Sequence, residues 1–367
     1  MANLILDGTK LAWHKERVEA WMNGERVAPI TIDCALTRSC TYGCVYCIGK
    51  YQANDEKKVT QGAISRFLDD AADMGVKGIS FVSDGESTCS PYLYDAIIRG
   101  KDNGVDMALG TNGFLLKDDR LEDILPKLTY LRFNISAGEP ESYAHIMGAD
   151  IKAFFKVINT IKNCVEIKNK NNLDVTIGLQ MVLMPDFADQ IIPLAILGKE
   201  LGVDYLVIKH CSDDNLGSLG VEYDRYFDMV ETLKRAEQVS NKDYLVRAKW
   251  SKILSRGKRN YKHCYGPPLM MQFSGSGLVA PCGGLFHNRF KQYHIGNLVD
   301  TSLKEMWLSS RYWDIIETLA SDRFDVEKMC VSLCLQHKVN EVLWDLKNNK
   351  GCLAETCDAK PVHVNFI

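Results

Sequence analysis

The sequence predicts an α/β fold, a partial (β/α)6 barrel of TIM type followed by a small C-terminal domain. Two observations carry this. From Pro29 onward the chain repeats a short apolar strand, a loop and a helix, six times in succession. Strand–crossover–strand units of this length form parallel sheets with right-handed connections, and six of them make three-quarters of a TIM-type barrel. The 367 residues, 46% hydrophobic and 25% charged, also suffice for such a barrel and an appended domain without long disordered stretches. The expected division is a lead-in over 1–29, the barrel over 30–240, and a second domain with a tail over 241–367.

The elements follow in order. Residues 1–30 are a polar lead-in, with a helix over 14–23 punctuated by Trp13 and Trp21. The first strand, 30–36, delivers the chain into a cysteine-rich loop. The remaining strands are expected at 78–83, 106–110, 130–136, 174–183 and 204–209. Helices at 61–74, 92–103, 117–125, 151–169 and 188–201 lie between them. A helix over 224–237 opens the remainder. A basic run follows, from Arg247 through Lys249, Lys252, Arg256, Lys258 and Arg259 to Lys262. It reads as a solvated helix face, with a docking patch for an anionic substrate as the alternative. Strands at 269–273 and 278–280 flank the turn sequence Ser274-Gly275-Ser276-Gly277, an apparent hairpin. A last helix over 335–347 leads to a tail ending in Phe366 and Ile367, an apolar pair expected to dock onto the body.

Bulk properties narrow the function. A net charge of −3 argues against nucleic-acid binding. No apolar stretch is long enough for a transmembrane helix, and the first ten residues lack the features of a secretory signal. Thirteen cysteines in an unexported chain imply reduced thiols, a cytoplasmic location and metal binding.

The most informative stretch is Cys40-Thr41-Tyr42-Gly43-Cys44-Val45-Tyr46-Cys47. Three closely spaced thiolates can hold three irons of a four-iron cube and leave the fourth iron open. Zinc knuckles usually bring two closely spaced pairs, and no fourth ligand stands nearby. The C-x3-C-x2-C loop, with Tyr46 just before the third cysteine, resembles the radical SAM superfamily. The resemblance covers residues 30–209. It implies S-adenosyl-L-methionine chelated to the open iron, reductive cleavage to a 5′-deoxyadenosyl radical, and an electron donor such as flavodoxin or ferredoxin.

In such barrels the site lies at the C-terminal ends of the strands. The second strand ends in Ser83-Asp84-Gly85-Glu86, similar to the family's Gly-Gly-Glu motif with Asp84 in place of the first glycine. By that resemblance Glu86 binds the methionine amino group. Thr111 and Asn112 follow the third strand. Asn134 and Ser136 end the fourth, where the family reaches the ribose. Gln180 interrupts the apolar fifth strand and needs a polar partner, a ligand being one candidate. Lys209 ends the sixth, with His210 and Cys211 after it. Cys211 and Cys89 are candidate hydrogen donors, or inert small apolar residues.

Further on, Cys264, Cys282, Cys330 and Cys334 form two groups that could close a complete cluster site. With Gly296-Asn297-Leu298 and the helix bearing Trp307, residues 264–334 resemble the twitch form of the SPASM domain. One auxiliary 4Fe–4S cluster is expected there, beside the one in the barrel, with a four-cysteine zinc site as the alternative. The Cys264-to-Cys282 gap resembles that of twitch-bearing aminocyclitol dehydrogenases. These readings point to an oxidoreductase acting on a small polyhydroxylated molecule, a sugar, aminocyclitol or nucleotide-sugar. An epimerase using a cysteine donor is the runner-up. Peptide modification is the third reading, disfavoured because only some 30 residues precede the barrel.

Overall fold

The computed structural model describes residues 4–6, 8–54, 57–356 and 359–367. After α1 (Lys15–Met22), strands and helices alternate: β1 (Thr31–Cys34), α2 (Gln61–Asp73), β2 (Gly78–Phe81), α3 (Leu93–Asp102), β3 (Asp106–Thr111), α4 (Leu121–Ile124) and β4 (Leu128–Asn134). Then come α5 (Pro140–Met147), α6 (Ile151–Lys170), β5 (Thr176–Leu183), α7 (Ile191–Leu201), β6 (Tyr205–His210), α8 (Val230–Glu237), β7 (Leu245–Ala248) and α9 (Trp250–Leu254). The remainder holds β8 (Met270–Phe273), β9 (Leu278–Ala280), β10 (Gly296–Asn297), α10 (Leu303–Leu308), α11 (Ser310–Leu319), α12 (Val326–Met329) and α13 (His337–Lys347).

Local chemistry sets many of these boundaries. Thr60 caps α2 by accepting from the Ala63 N–H at 3.2 Å, and Asp150 caps α6 through Lys152 at 2.8 Å. Ser302 and Glu305 form a reciprocal capping box at the start of α10. The short α5 was not expected from the sequence, although Pro140 at its first turn and Gly148 after its end mark it.

All ten strands form one sheet in the order β10-β9-β8-β1-β2-β3-β4-β5-β6-β7. The predicted α/β barrel-type core is present, with β1 to β6 parallel and in sequence order. The parallel set is longer than expected. β7 adds to β6, and β8 pairs parallel with β1, Thr31 opposite Met270. The domain boundary expected at residue 240 therefore falls inside the sheet. The apparent hairpin is real between β8 and β9, but its first strand belongs to the barrel. The alternation of strands and helices could not show this, because strand partners are chosen by tertiary packing.

The sheet curls around the C-terminal tail. Thr31 at the start of β1 donates to the Asn365 carbonyl at 2.7 Å, and Asn365 Nδ2 donates to Asp106 at the start of β3. His363 Nε2 lies 2.6 Å from Thr176 Oγ1 at the start of β5, and Phe366 packs edge-on to Tyr130 of β4. One five-residue segment meets β1, β3, β4 and β5 only if their N-terminal ends face a common axis. The expected docking of Phe366 and Ile367 is thus observed, and the tail floors the barrel.

The basic run is only in part a solvated face: Arg247, Arg256, Lys258 and Lys262 are exposed, but others turn inward. Lys252 is 8% exposed, and its ammonium donates to the Cys334 carbonyl at 2.7 Å. Half-buried Arg259 donates to the carbonyls of Val326 and Val331. A charge run gives no periodic signal when single residues of it turn inward from α9 and the loop after it. Among the described residues, no helix is long and apolar enough to cross a membrane.

Burial holds His363 well below its ordinary pKa and pushes His210 down to about 3, so both are neutral in the fold. The unfolded chain binds protons at these rings as pH falls through about 6.5, so their stability contribution is present above that pH and lost below it. Asp33, raised to about 7 by burial, works in the opposite sense. The readout is therefore a difference. His363→Asn should reduce the loss of stability between pH 7.5 and 5.5 by about 1.4 kcal/mol relative to wild type. Parallel melting curves for the two proteins would place His363 outside the pH response.

Candidate active site

The cysteine loop has no regular structure of its own, and its shape comes from neighbours. The Gly43 and Val45 N–H groups donate to the carbonyls of Gly148 and Ile146, at the end of α5, at 3.2 and 3.0 Å. The Tyr42 hydroxyl meets that of Tyr143 at 3.0 Å, and the Tyr46 hydroxyl donates to Met147 Sδ at 3.0 Å. Lys50 caps the Gly43 and Cys44 carbonyls from below, at 2.6 and 2.7 Å. The helix that sequence reasoning missed is thus the main brace of the loop.

Thr37 and Arg38, which lead into the loop, are gripped on two sides. A Cβ on Gly85 would lie 1.9 Å from the Thr37 carbonyl oxygen, and one on Gly275 would lie 2.1 Å from the Thr37 carbonyl carbon. Neither position tolerates a side chain. Asp84, which departs from the family motif, joins the same contact. It accepts from the Ser274 hydroxyl at 2.6 Å and the Gly275 N–H at 2.8 Å, with Arg38 Nε at 3.4 Å. Its side chain therefore points to the β8–β9 turn rather than into the barrel mouth. Arg38 also donates to the Gln52 carbonyl, and Gln52 donates to the carbonyl of Gly283, the neighbour of Cys282.

Glu86 is 4% exposed, and its carboxylate collects four donors. Thr88 N–H and hydroxyl reach Oε1 at 3.0 and 2.8 Å, the Thr111 hydroxyl reaches Oε1 at 2.8 Å, and the Asn112 N–H reaches Oε2 at 2.7 Å. This ties the end of β2 to the end of β3. The Asn112 amide continues the chain to Thr41 Oγ1 at 3.1 Å and to Cys40 Sγ at 3.9 Å.

Across the mouth, the Gln180 amide donates to Asn134 Oδ1 at 2.7 Å, its register partner on β4. The partner that Gln180 required is therefore a protein side chain. Ser136 Oγ accepts from the Val182 N–H at 3.1 Å. Lys209 is held down to about 7 by burial, then by Arg132 and Lys252. The His210 ring packs against Tyr223 and Tyr226, away from this group, and among the described residues both its buried nitrogens lack a hydrogen-bond partner.

Both candidate donor thiols border the cysteine loop. Cys211 is 1% exposed and directs Sγ at the Tyr46 carbonyl, 3.8 Å away. Burial, then Asp213, pushes it up to about 12, so it stays a thiol. Cys89 is raised to about 11 by burial and by Glu86 and Cys40.

Cys40, Cys44 and Cys47 sense one another electrostatically, as three donors on one loop must. Burial and the Cys47 charge push Cys44 up to about 12. Such thiols become ligands only when a metal centre stabilises the thiolate, and the set fits three corners of a four-iron cube. In the second domain, Cys264, Cys282, Cys330 and Cys334 likewise form one interacting group. A hydrogen bond from Cys330 favours the Cys334 thiolate, reinforced by Lys252 and Arg259. Among the described residues, no three His, Cys, Asp or Glu side chains form a group for a single metal ion. Corners of a cube are farther apart than ligands of one ion.

Comparison with known proteins agrees with this geometry. The radical SAM superfamily profile matches residues 35–193. The barrel therefore carries a radical SAM domain. The chain's second domain, residues 264–335, is a SPASM iron–sulfur cluster-binding domain, and the cofactors are S-adenosyl-L-methionine and two 4Fe–4S clusters. A tungsten-containing aldehyde ferredoxin oxidoreductase cofactor-modifying protein from Pyrococcus furiosus is 22% identical over 76% of this chain and 80% of its own length. A probable GTP 3′,8-cyclase from Saccharolobus islandicus is 26% identical, over 56% of this chain and 64% of that protein. The crystal structure of Streptococcus suis SuiB bound to precursor peptide SuiA superposes with a TM-score of 0.63 at 16% identity, covering 87% of this chain and 75% of that one.

Glu86→Gln places an amide donor where four donors already converge. It should destabilise the protein by about 1.5–3 kcal/mol, the range for a hydrogen bond to a charged group. Thermal melting at unchanged iron content checks this. A melting temperature equal to wild type would show that the Glu86 carboxylate does not hold β2 to β3.

Proposed function

We propose that this enzyme oxidises an alcohol carbon of a small polyhydroxylated molecule to a carbonyl, with net removal of two hydrogens. The observation that carries the reading is the setting of the second cysteine group. Two cations, Lys252 and Arg259, are turned inward beside Cys330 and Cys334. Positive charge near thiolate ligands favours the reduced state of what they hold. When bound, S-adenosylmethionine with the first cluster supplies a 5′-deoxyadenosyl radical, and the second cluster supplies an electron acceptor.

The chain's own residues orient the reactants. In this reading Cys40, Cys44 and Cys47 hold the first cluster, and Cys264, Cys282, Cys330 and Cys334 the second. Glu86 keeps one acceptor position on Oε2 for the methionine amino group, beside Gly85 and Asp84, whose own carboxylate is turned to the β8–β9 turn. Thr111, Asn112 and Tyr46 border the cofactor. Asn134, Ser136 and Gln180 face the ribose, and Lys209 lies toward the substrate. Lys209, with its pKa near neutrality, suits acceptance of the hydroxyl proton.

Epimerisation is the second reading, favoured by one observation: Cys211 retains its hydrogen beside Tyr46. The relatives include a cofactor-modifying protein and a peptide-bound neighbour, so substrate size is open to direct measurement. We expect about eight irons per reconstituted chain, and about half after Cys40, Cys44 and Cys47 are all replaced by Ala. One zinc in place of the second cube would remove the acceptor. In turnover, Cys282→Ala should still form 5′-deoxyadenosine yet give at least about tenfold less oxidised product, a barrier increase of 1.4 kcal/mol or more. Cys211→Ser should behave as wild type. Deuterium from heavy water at the reacting carbon, lost in Cys211→Ser, would instead establish epimerisation.

A further inference from the structure

Below the mouth, the barrel lumen holds a cavity of about 80 Å³ that none of the assigned roles uses. Among the described residues its wall carries Lys10, Arg132, Lys249, Lys252 and Lys338, and one carboxylate side chain, Asp33. Glu341 answers Lys338 at 3.4 Å, and carbonyls take up Lys252. Arg132 rests over the Tyr130 ring at 5.2 Å, and burial, then Lys252 and Arg132, hold Lys249 well below its ordinary pKa. Among the described residues, Arg132 Nε is buried without a hydrogen-bond partner, and no ion pair reaches either side chain.

The sheet makes room for this charge. Arg132 on β4 lies opposite Gly110 of β3 on one side and Gly178 of β5 on the other. Neither position directly opposite carries a side chain, although the Tyr205 ring lies over Gly178 and Val82 beside Gly110. Asn134 at the mouth is two residues further along β4, about 7 Å away along the strand. A group bound at Arg132 is thus within one small molecule's length of the residues at the mouth. Unpaired buried cations are costly, and a counter-anion removes the cost.

We propose that this cavity binds an oxyanion, a phosphate or carboxylate group carried by the substrate, through Arg132 and Lys249. The inference builds on the small-substrate reading above and narrows it to an anionic molecule that enters the lumen charged end first. Lys10 and Lys252 add to the positive field, and Asp33, raised to about 7 by burial, is able in its protonated form to donate a hydrogen bond to the same group.

The test needs no turnover and no cofactor cleavage, so its failure is separable from failure of the proposed reaction. Anaerobically reconstituted enzyme is titrated with inorganic phosphate and, separately, malonate, by calorimetry and thermal melting against sodium chloride of equal ionic strength. Saturable binding of phosphate, or of malonate, with a rise in melting temperature supports the site and tells the two sources apart. Arg132→Met and Lys249→Met should each weaken that binding at least tenfold. Arg132→Met should also melt no lower than wild type without the anion, since a buried charge without an ion-pair partner is gone. Wild-type protein that responds to neither anion beyond chloride overturns the proposal, as does unchanged affinity in both variants.

Discussion

The constraint on which the rest depends is that an irregular loop must present three thiols to one small cube. A loop without its own hydrogen-bond ladder takes its shape from what surrounds it. Here the surroundings are the end of α5 through Gly148 and Ile146, and the turn after β2 through Gly85. The β8–β9 turn adds Gly275 from the other side. Two side-chain-free positions pressed on the Thr37 backbone fix where the loop begins. Asp84 binds those two turns to each other, so the substitution of the family glycine exchanges backbone room for a tie to the second domain.

That tie has a functional side. The route from the first cysteine group to the second runs through Arg38, Gln52 and Gly283, and through Asp84 to Ser274. Both groups are attached to the same continuous sheet, because β8 pairs with β1. An enzyme that removes a hydrogen atom at one centre and an electron at another needs the two held at fixed separation. A shared sheet with buried polar ties supplies that rigidity better than a flexible linker.

The lumen shows how a fold places costly groups where chemistry uses them. Most strands point apolar residues outward against the helices, as Phe273 of β8 does against Phe67 of α2 at 5.3 Å. Inward they present Asp33, Ser80, Arg132, Asn134 and Gln180. The Ser80–Tyr130 and Asn134–Gln180 pairs satisfy one another at 2.7 Å each. Arg132 rests over the Tyr130 ring, but among the described residues its Nε is buried without a hydrogen-bond partner, which in a folded interior marks a place for something more.

The sequence by itself determined the alternation of strands and helices, the three-cysteine loop, and the four later cysteines, because spacing and period are local properties. It also marked Glu86, Thr111 and Asn112 as belonging to one strand-end site. Only the tertiary structure decided that Glu86 collects donors from β2 and β3, that Gln180 finds Asn134, and that Asp84 reaches Ser274. Those partners lie 46 residues or more apart, except within the Glu86 cluster, where Thr111 is 25 away. The basic run is the clearest case. Its charges are plain in the sequence, yet which of them face water depends on where α9 packs, and that is set by the burial of Lys252 against the Cys334 carbonyl, 82 residues further on.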